Sequence, residues 1–174
     1  MIDVSIRPYR MSDLDAMLES IHESIVEVGP WMSWCTASYS SDDGRRWLQE
    51  QIDAFDRRTA FQFAVIASGS HYCGGCGVNQ LDPDNRRANL GYWIRSSMTR
   101  RGIGAAAVRL VRDWIFESTD VIRLEVVVAV GNLASQRLAE STGAVREGVV
   151  RSRLFLHGRA HDAVMYSFTR APGR

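Results

Sequence analysis

The 174-residue chain contains no lysine; all 21 of its basic side chains are arginine. That absence excludes a Walker-type phosphate lysine, a Schiff-base lysine and a lysine general base at once. Cysteine is scarce, and three is an odd number, which suits a reducing compartment better than a disulfide framework. Excess charge of either sign is missing too, because 20 acidic residues leave a formal net charge of +1. A dedicated nucleic-acid binder would normally be strongly basic, so nucleic acid is not expected as a partner and any anion site has to be local. There is no long apolar run. The most apolar stretch, Val126 to Val130, is far too short to span a bilayer, and Met1-Ile2-Asp3-Val4 lacks the basic and apolar regions of a signal peptide. A cytoplasmic protein with no membrane partner is expected. What remains is 45% hydrophobic, enough for one fully cored domain over residues 1–174.

Periodicity divides the chain into elements. A short strand, Val4 to Pro8, precedes a helix in which Ser12 and Asp15 form a capping-box signature and Leu14, Met17, Leu18, Ile21, Ile25 and Val28 share a face, until Gly29-Pro30 stops it. After a loop carrying Trp31, Trp34 and Cys35, a second helix starts at Ser41-Asp42-Asp43, with Trp47, Leu48, Ile52 and Phe55 on one side. From Phe61 the period becomes two, which predicts strands over about 61–67, 72–81 and 88–94, separated by turns at Ser68-Gly69-Ser70 and Pro83-Asp84-Asn85. A helix begins near Ile103. Leu124 to Val130 is β-branched almost throughout, as in a strand buried on both faces. Asn132 caps a short helix closed by Gly143, and strands over about 145–156 and 163–169 end the pattern.

The segment with the most chemistry runs from Arg95 to Ala105. Glycines at 102 and 104 let a ligand approach the backbone, and the N–H groups that open the following helix are unpaired and favour an anion. Arg95, Arg100 and Arg101 add charge. The spacing is not Walker A, for want of lysine, and not Gly-x-Gly-x-x-Gly, because Ala105, Ala106 and Ala107 follow. A different phosphate-containing cofactor is implied.

The segment Leu90-Gly91-Tyr92-Trp93-Ile94, the loop Arg100-Arg101-Gly102-Ile103-Gly104-Ala105, then Asn132-x-x-Ser135 and Gly143-Ala144, resemble the GNAT superfamily of acetyl-CoA-dependent N-acetyltransferases. The order holds over nearly the whole chain. Asn132-Leu133-Ala134-Ser135-Gln136-Arg137, the Arg146-Glu147-Gly148-Val149 segment, and Gly158-Arg159-x-x-Asp162 through Tyr166-Ser167 look like the Rim-type branch, which acetylates N-termini of ribosomal proteins. The resemblance implies an α/β fold: a mixed, mostly antiparallel, twisted sheet of six or seven strands with helices on both faces. It implies that backbone groups around Ile94 and Arg95 bind the pantetheine arm of acetyl-CoA, in a splay between the 88–94 and 124–130 strands. The amides of Arg100, Arg101, Gly102, Ile103, Gly104 and Ala105 would hold the pyrophosphate, Asn132 would bond the pantetheine, and Ser135 would sit near the sulfur as acid. Asn132 and Ser135 also read as an N-cap and its N3 partner, and the two roles are compatible.

The chain departs from the family pattern at four positions. Thr99 stands where Gln or Arg is common, and Ala139 where many members place a general-acid tyrosine. Asn89 stands at one position of the usual base glutamate and Leu154 at the Rim-type alternative. A missing strong base bears on the acceptor: a peptide α-amine is neutral in roughly one molecule in seven at pH 7, a lysine amine in only about one in 2,500, a difference of about 3 kcal/mol. Such a site suits an α-amine and a water relay, with Asn89, Asn79, His22 and Glu23 as candidates to orient the water.

Weaker features have plainer readings. Cys73-Gly74-Gly75-Cys76 lies in a strand, where residues three apart face opposite sides, and a zinc site would need a second pair, so no metal is expected. Its glycines relieve crowding. Trp31 and Trp34, with Asn79, are candidates to line the acceptor groove, the tryptophans being equally readable as anchors of their loop. The expected acceptor is an amine-bearing protein N-terminus. A small-molecule amine is the alternative, a non-catalytic acetyl-CoA-binding protein a further one, and a homodimer is left open.

Overall fold

The computed structural model describes residues 2–69 and 71–170. Its seven strands are β1 (Val4–Pro8), β2 (Phe61–Ala67), β3 (His71–Asp82), β4 (Arg87–Ile94), β5 (Arg123–Ala129), β6 (Val145–Leu156) and β7 (Arg159–Thr169). They form one sheet in the order β1-β2-β3-β4-β5-β7-β6. Every pairing is antiparallel except β4 with β5. The helices are α1 (Leu14–Glu23), α2 (Ile25–Val28), α3 (Ser41–Asp56), α4 (Ile103–Ser118) and α5 (Leu133–Ser141). This is the mixed α/β sheet expected from the sequence.

Burial on the two faces follows the apolar stripes of the helices. On one face Leu14, Met17 and Ile21 of α1 and Leu48 of α3 cover Ala64, Ile66 and Tyr72. On the other, Ile103, Ala107, Val108, Val111 and Ile115 of α4, with Ala139 of α5, cover Phe63, Val65, Leu90, Val126 and Tyr166.

Three local expectations change. The predicted first helix breaks at Ser24 (φ −103°, ψ 6°), which separates α1 from α2; the Ser24 hydroxyl donates to the Ser20 carbonyl (2.6 Å) and accepts the Ser96 N–H (3.1 Å). The side chain thus competes with the helix and ties α2 to the segment after β4. The cap lies at Asp13, whose carboxylate accepts the Arg10 N–H (2.8 Å) and pairs with Arg7, rather than at Ser12 and Asp15. Finally, β5 buries only one face fully: Leu124, Val126 and Val128 are buried, while Glu125 and Val127 are half-buried. Val126 to Ala129, from both faces, line a cleft.

The two cysteines of the CxxC do not face opposite sides. The register of β2 against β3 shifts between Val65 and Ile66, which pair with Gly74 and Tyr72 and leave Cys73 bulged. A bulge inserts one residue and resets the alternation. Cys73 and Cys76 therefore both enter the core under α4, both as free thiols. The crowding is real: a Cβ on Gly74 (φ +140°) would stand 2.2 Å from the Trp93 carbonyl oxygen, and one on Gly75 would stand 2.5 Å from the Tyr9 hydroxyl. Among the described residues no group of three or more His, Cys, Asp or Glu is placed to hold a metal ion. None of the described helices is long and apolar enough to cross a membrane.

Candidate active site

The site begins where two strands stop pairing. β4 and β5 run parallel and pair only through Arg87 with Arg123, Ala88 with Leu124 and Asn89 with Glu125. β4 continues five residues further, about 17 Å at a strand's rise, without contacting β5 as a ladder. On its other edge β4 stays bonded to β3, and the Arg95 N–H donates to the Cys73 carbonyl (2.8 Å). Because an antiparallel ladder alternates the edge each residue faces, the N–H groups of Ile94 and Tyr92 point into the gap beside β5. The gap opens into a cleft of about 650 Å³, walled by β4, by Val126 to Ala129 of β5, and by the starts of α4 and α5.

The α4 end of the cleft is an anion site. Gly102, at φ +78°, is the N-cap, in a left-handed conformation that a side chain would strain. The first helical bond runs from the Ala106 N–H to the Gly102 carbonyl (3.0 Å), so the N–H groups of Ile103, Gly104 and Ala105 have no helical partner. Arg100, Gly102, Ile103, Gly104 and Ala105 all line the cleft, and Arg101 is exposed beside them. The positive helix end and these arginines favour phosphate.

Arg95 is a different case and corrects the charge assignment. It lies outside the cleft, 7% exposed, and its guanidinium donates to Glu19 (2.9 Å) and to Glu23. Its N–H is committed to Cys73. Its charge is used to fasten the end of β4 to α1, and its N–H to fasten it to β3. Glu23 also accepts the Ser97 N–H (2.7 Å), and the Arg95 guanidinium holds its carboxyl down at about 2. With His22 Nε2 against the Tyr39 carbonyl (2.9 Å), neither Glu23 nor His22 reaches the cleft. Asn89 and Asn79 are cross-strand partners that bond each other (3.0 Å), and neither lines it.

Asn132 and Ser135 do come together there. Asn132 Oδ1 accepts the Ser135 N–H (3.1 Å) and caps α5, so the cap itself places both side chains on the cleft wall. Ser135 Oγ lies 3.0 Å from the hydroxyl of Tyr92, a side chain to which the Leu90–Ile94 motif by itself assigns no role. Tyr92 also donates to the Ser135 carbonyl (3.1 Å), and burial pushes its phenol well above its ordinary range. Ala139, where the family tyrosine would stand, is buried in the core. Leu154 lines the cleft as an apolar group. Glu27, at the end of α2, is the one carboxylate among the described lining residues, and it accepts from Ser96 Oγ (2.7 Å). No spacing rule marks Glu27, because the break at Ser24 sets its direction.

The loop after α2 roofs the mouth. Trp31 lines the cleft and lies over Gly131, where a Cβ would stand 3.2 Å from the indole. His157 at the β6–β7 turn donates from Nε2 to the Gly29 carbonyl (2.9 Å). Trp34 does not line the cleft; it packs edge-on against Trp93, which does (5.6 Å between centroids).

The model of the acetyltransferase (GNAT) domain matches residues 3–145. The chain belongs to this family. It is 30% identical over 169 residues to the "Putative ribosomal N-acetyltransferase YdaF" of Bacillus subtilis, covering 94% of this chain and 90% of that one. Its fold matches RimL, a ribosomal L7/L12 alpha-N-protein acetyltransferase solved with coenzyme A, at a TM-score of 0.88 and 22% identity over 95% of this chain and 93% of that one. It also matches the microcin C7 self-immunity acetyltransferase MccE, solved with acetyl-CoA and AMP, at a TM-score of 0.89 and 18% identity over 97% and 93%. The chain is an acetyl-CoA-dependent N-acetyltransferase of the GNAT type. Its own donors suit that ligand: free amides at α4 for a pyrophosphate, and unpaired β4 N–H groups along the gap for a pantetheine amide.

Proposed function

We propose that the chain, as one N-acetyltransferase domain over 1–174, acetylates the N-terminal α-amine of a protein, a ribosomal protein in the first instance, in the cytoplasm. The observation that carries this reading is the scarcity of carboxylates in the cleft: among the described lining residues only Glu27 is acidic, it is exposed, and one of its oxygens accepts from Ser96 Oγ. A site so equipped deprotonates poorly and favours an amine that is already neutral in appreciable amount. The ribosomal names of relatives support the same choice of acceptor.

Acetyl-CoA, when bound, supplies the activated thioester. Of the two N–H groups aimed into the gap, which stand about 6.6 Å apart along the strand, that of Tyr92, at the level of Ser135, serves as oxyanion donor to the thioester carbonyl, and that of Ile94, beside Gly104, takes a pantetheine amide. Asn132 orients the pantetheine, the Ile103, Gly104 and Ala105 amides hold the pyrophosphate with Arg100 and Arg101, and Ser135 Oγ–H is the proton source for the departing sulfur. Trp31 and Trp93 shape the acceptor side, and the carboxylate of Glu27 attracts the amine before a proton is lost to water.

A small aminoacyl compound is the second reading, favoured by the roof that Trp31 and His157 draw over the mouth. The test is a screen of N-terminal peptides, lysine-bearing peptides, polyamines and aminoacyl compounds, scored by free-thiol release from acetyl-CoA. Peptide α-amines should give kcat/KM at least tenfold above the other classes. Preference for aminoacyl compounds would replace the first reading with the second, and preference for lysine side chains would overturn the argument from the missing base.

A further inference from the structure

The family's phenol is missing from α5, yet a phenol reaches the same serine from another element. We propose that Tyr92, on β4, is the positioning residue of Ser135 and resupplies its proton, an inference that rests on the acetyl-transfer reading above. Tyr92 Oη stands 3.0 Å from Ser135 Oγ and 3.1 Å from the Ser135 carbonyl oxygen, and both residues line the cleft. The two contacts cross the gap between β4 and α5 at the level of Tyr92, where β4 has no ladder with β5.

One phenolic proton thus has two acceptors on one residue. On the carbonyl it leaves the phenol oxygen to accept the serine hydroxyl, which turns the Ser135 proton toward Tyr92. Swung onto Oγ, it leaves the serine's own proton as the only one free to point into the cleft. The step then balances: as the amine nitrogen bonds to the acyl carbon, the carbon–sulfur bond breaks and its electron pair stays on sulfur. Ser135 Oγ–H protonates that sulfur, and Tyr92 Oη–H protonates Ser135 Oγ. The surplus proton of the acylated nitrogen passes through water back to Tyr92. A bare serine alkoxide, far too basic to persist, never forms. The serine is the catalytic residue and the tyrosine acts through it.

Tyr92→Phe keeps the ring and removes only the contact. The experiment is a cycle of wild type, Tyr92→Phe, Ser135→Ala and the double variant, measured for kcat and KM with acetyl-CoA. Without ligand, the ring-carbon shift of 13Cζ-labelled Tyr92 is followed in parallel. Tyr92→Phe should lower kcat about 10- to 100-fold with the acetyl-CoA KM changed less than threefold, and the double variant should be no slower than Ser135→Ala. In the free protein, Ser135→Ala should move the Tyr92 signal. Unchanged kcat in Tyr92→Phe, multiplicative losses in the double variant, or a Tyr92 signal indifferent to Ser135→Ala would each overturn the proposal. A wild type that releases no thiol with any amine would instead refute the acceptor reading, and the Tyr92 signal would still report the contact.

Discussion

Arg95 and Glu23 show how far a residue's chemistry depends on what folds against it. In sequence, Arg95 heads a run of cations before a glycine loop and reads as part of an anion site. In the fold it is buried at the end of β4, and two carboxylates of α1 neutralise it. The pairing holds Glu23 at about 2, below the ordinary 4.5. A depressed folded value means the contribution to stability is whole above about pH 4.5 and is lost as pH falls through about 2. Because Glu23 is partly exposed and solvent screens the pair, Glu23→Gln should lower stability by only about 1 kcal/mol at pH 7, and the gap to wild type should narrow steadily between pH 4.5 and pH 2. Thermal unfolding across that range checks it; a gap independent of pH would mean the charge is immaterial. The same lesson separates Ser135, legible from its spacing to Asn132, from Tyr92, whose partner lies 43 positions away.

Among the elements, β3 carries the sharpest constraint. Its bulge opposite Val65 and Ile66 turns both cysteines into one core and brings Gly74 onto the backbone of Trp93 and Ile94, the end of β4 that faces the cleft. Backbone cannot retreat as a flexible side chain does, and φ +140° strains any L side chain. Gly74→Ala should cost about 2–4 kcal/mol, read as a lower urea midpoint at unchanged slope. A cost below about 0.5 kcal/mol would show that the bulge relaxes freely. Alternation along a strand was legible in the sequence; the residue at which it resets was not, because a bulge is decided by the neighbouring strand.

At the scale of the whole molecule, the near-neutral charge demands a local anion site, and the fold supplies one where α4 opens onto the gap in the sheet. Arg100 is the cation of the glycine loop that lines the cleft, where Arg137 of α5 is a second lining cation. Arg100→Ala should raise the acetyl-CoA KM about tenfold, equivalent to about 1.4 kcal/mol, with kcat nearly intact. The wild-type KM should rise with salt more steeply than the variant's. An unaltered KM would leave the phosphates to the backbone amides and Arg101. The sequence by itself determined the strands and main helices, the glycine loop that opens α4, the Asn132 cap and the exclusion of lysine chemistry, because each rests on local periodicity or on composition. Only the tertiary structure decided that β4 and β5 part after Asn89, that Arg95 is spent on α1, and that Tyr92 meets Ser135. Those facts depend on contacts between residues far apart in the chain, and no local pattern encodes them.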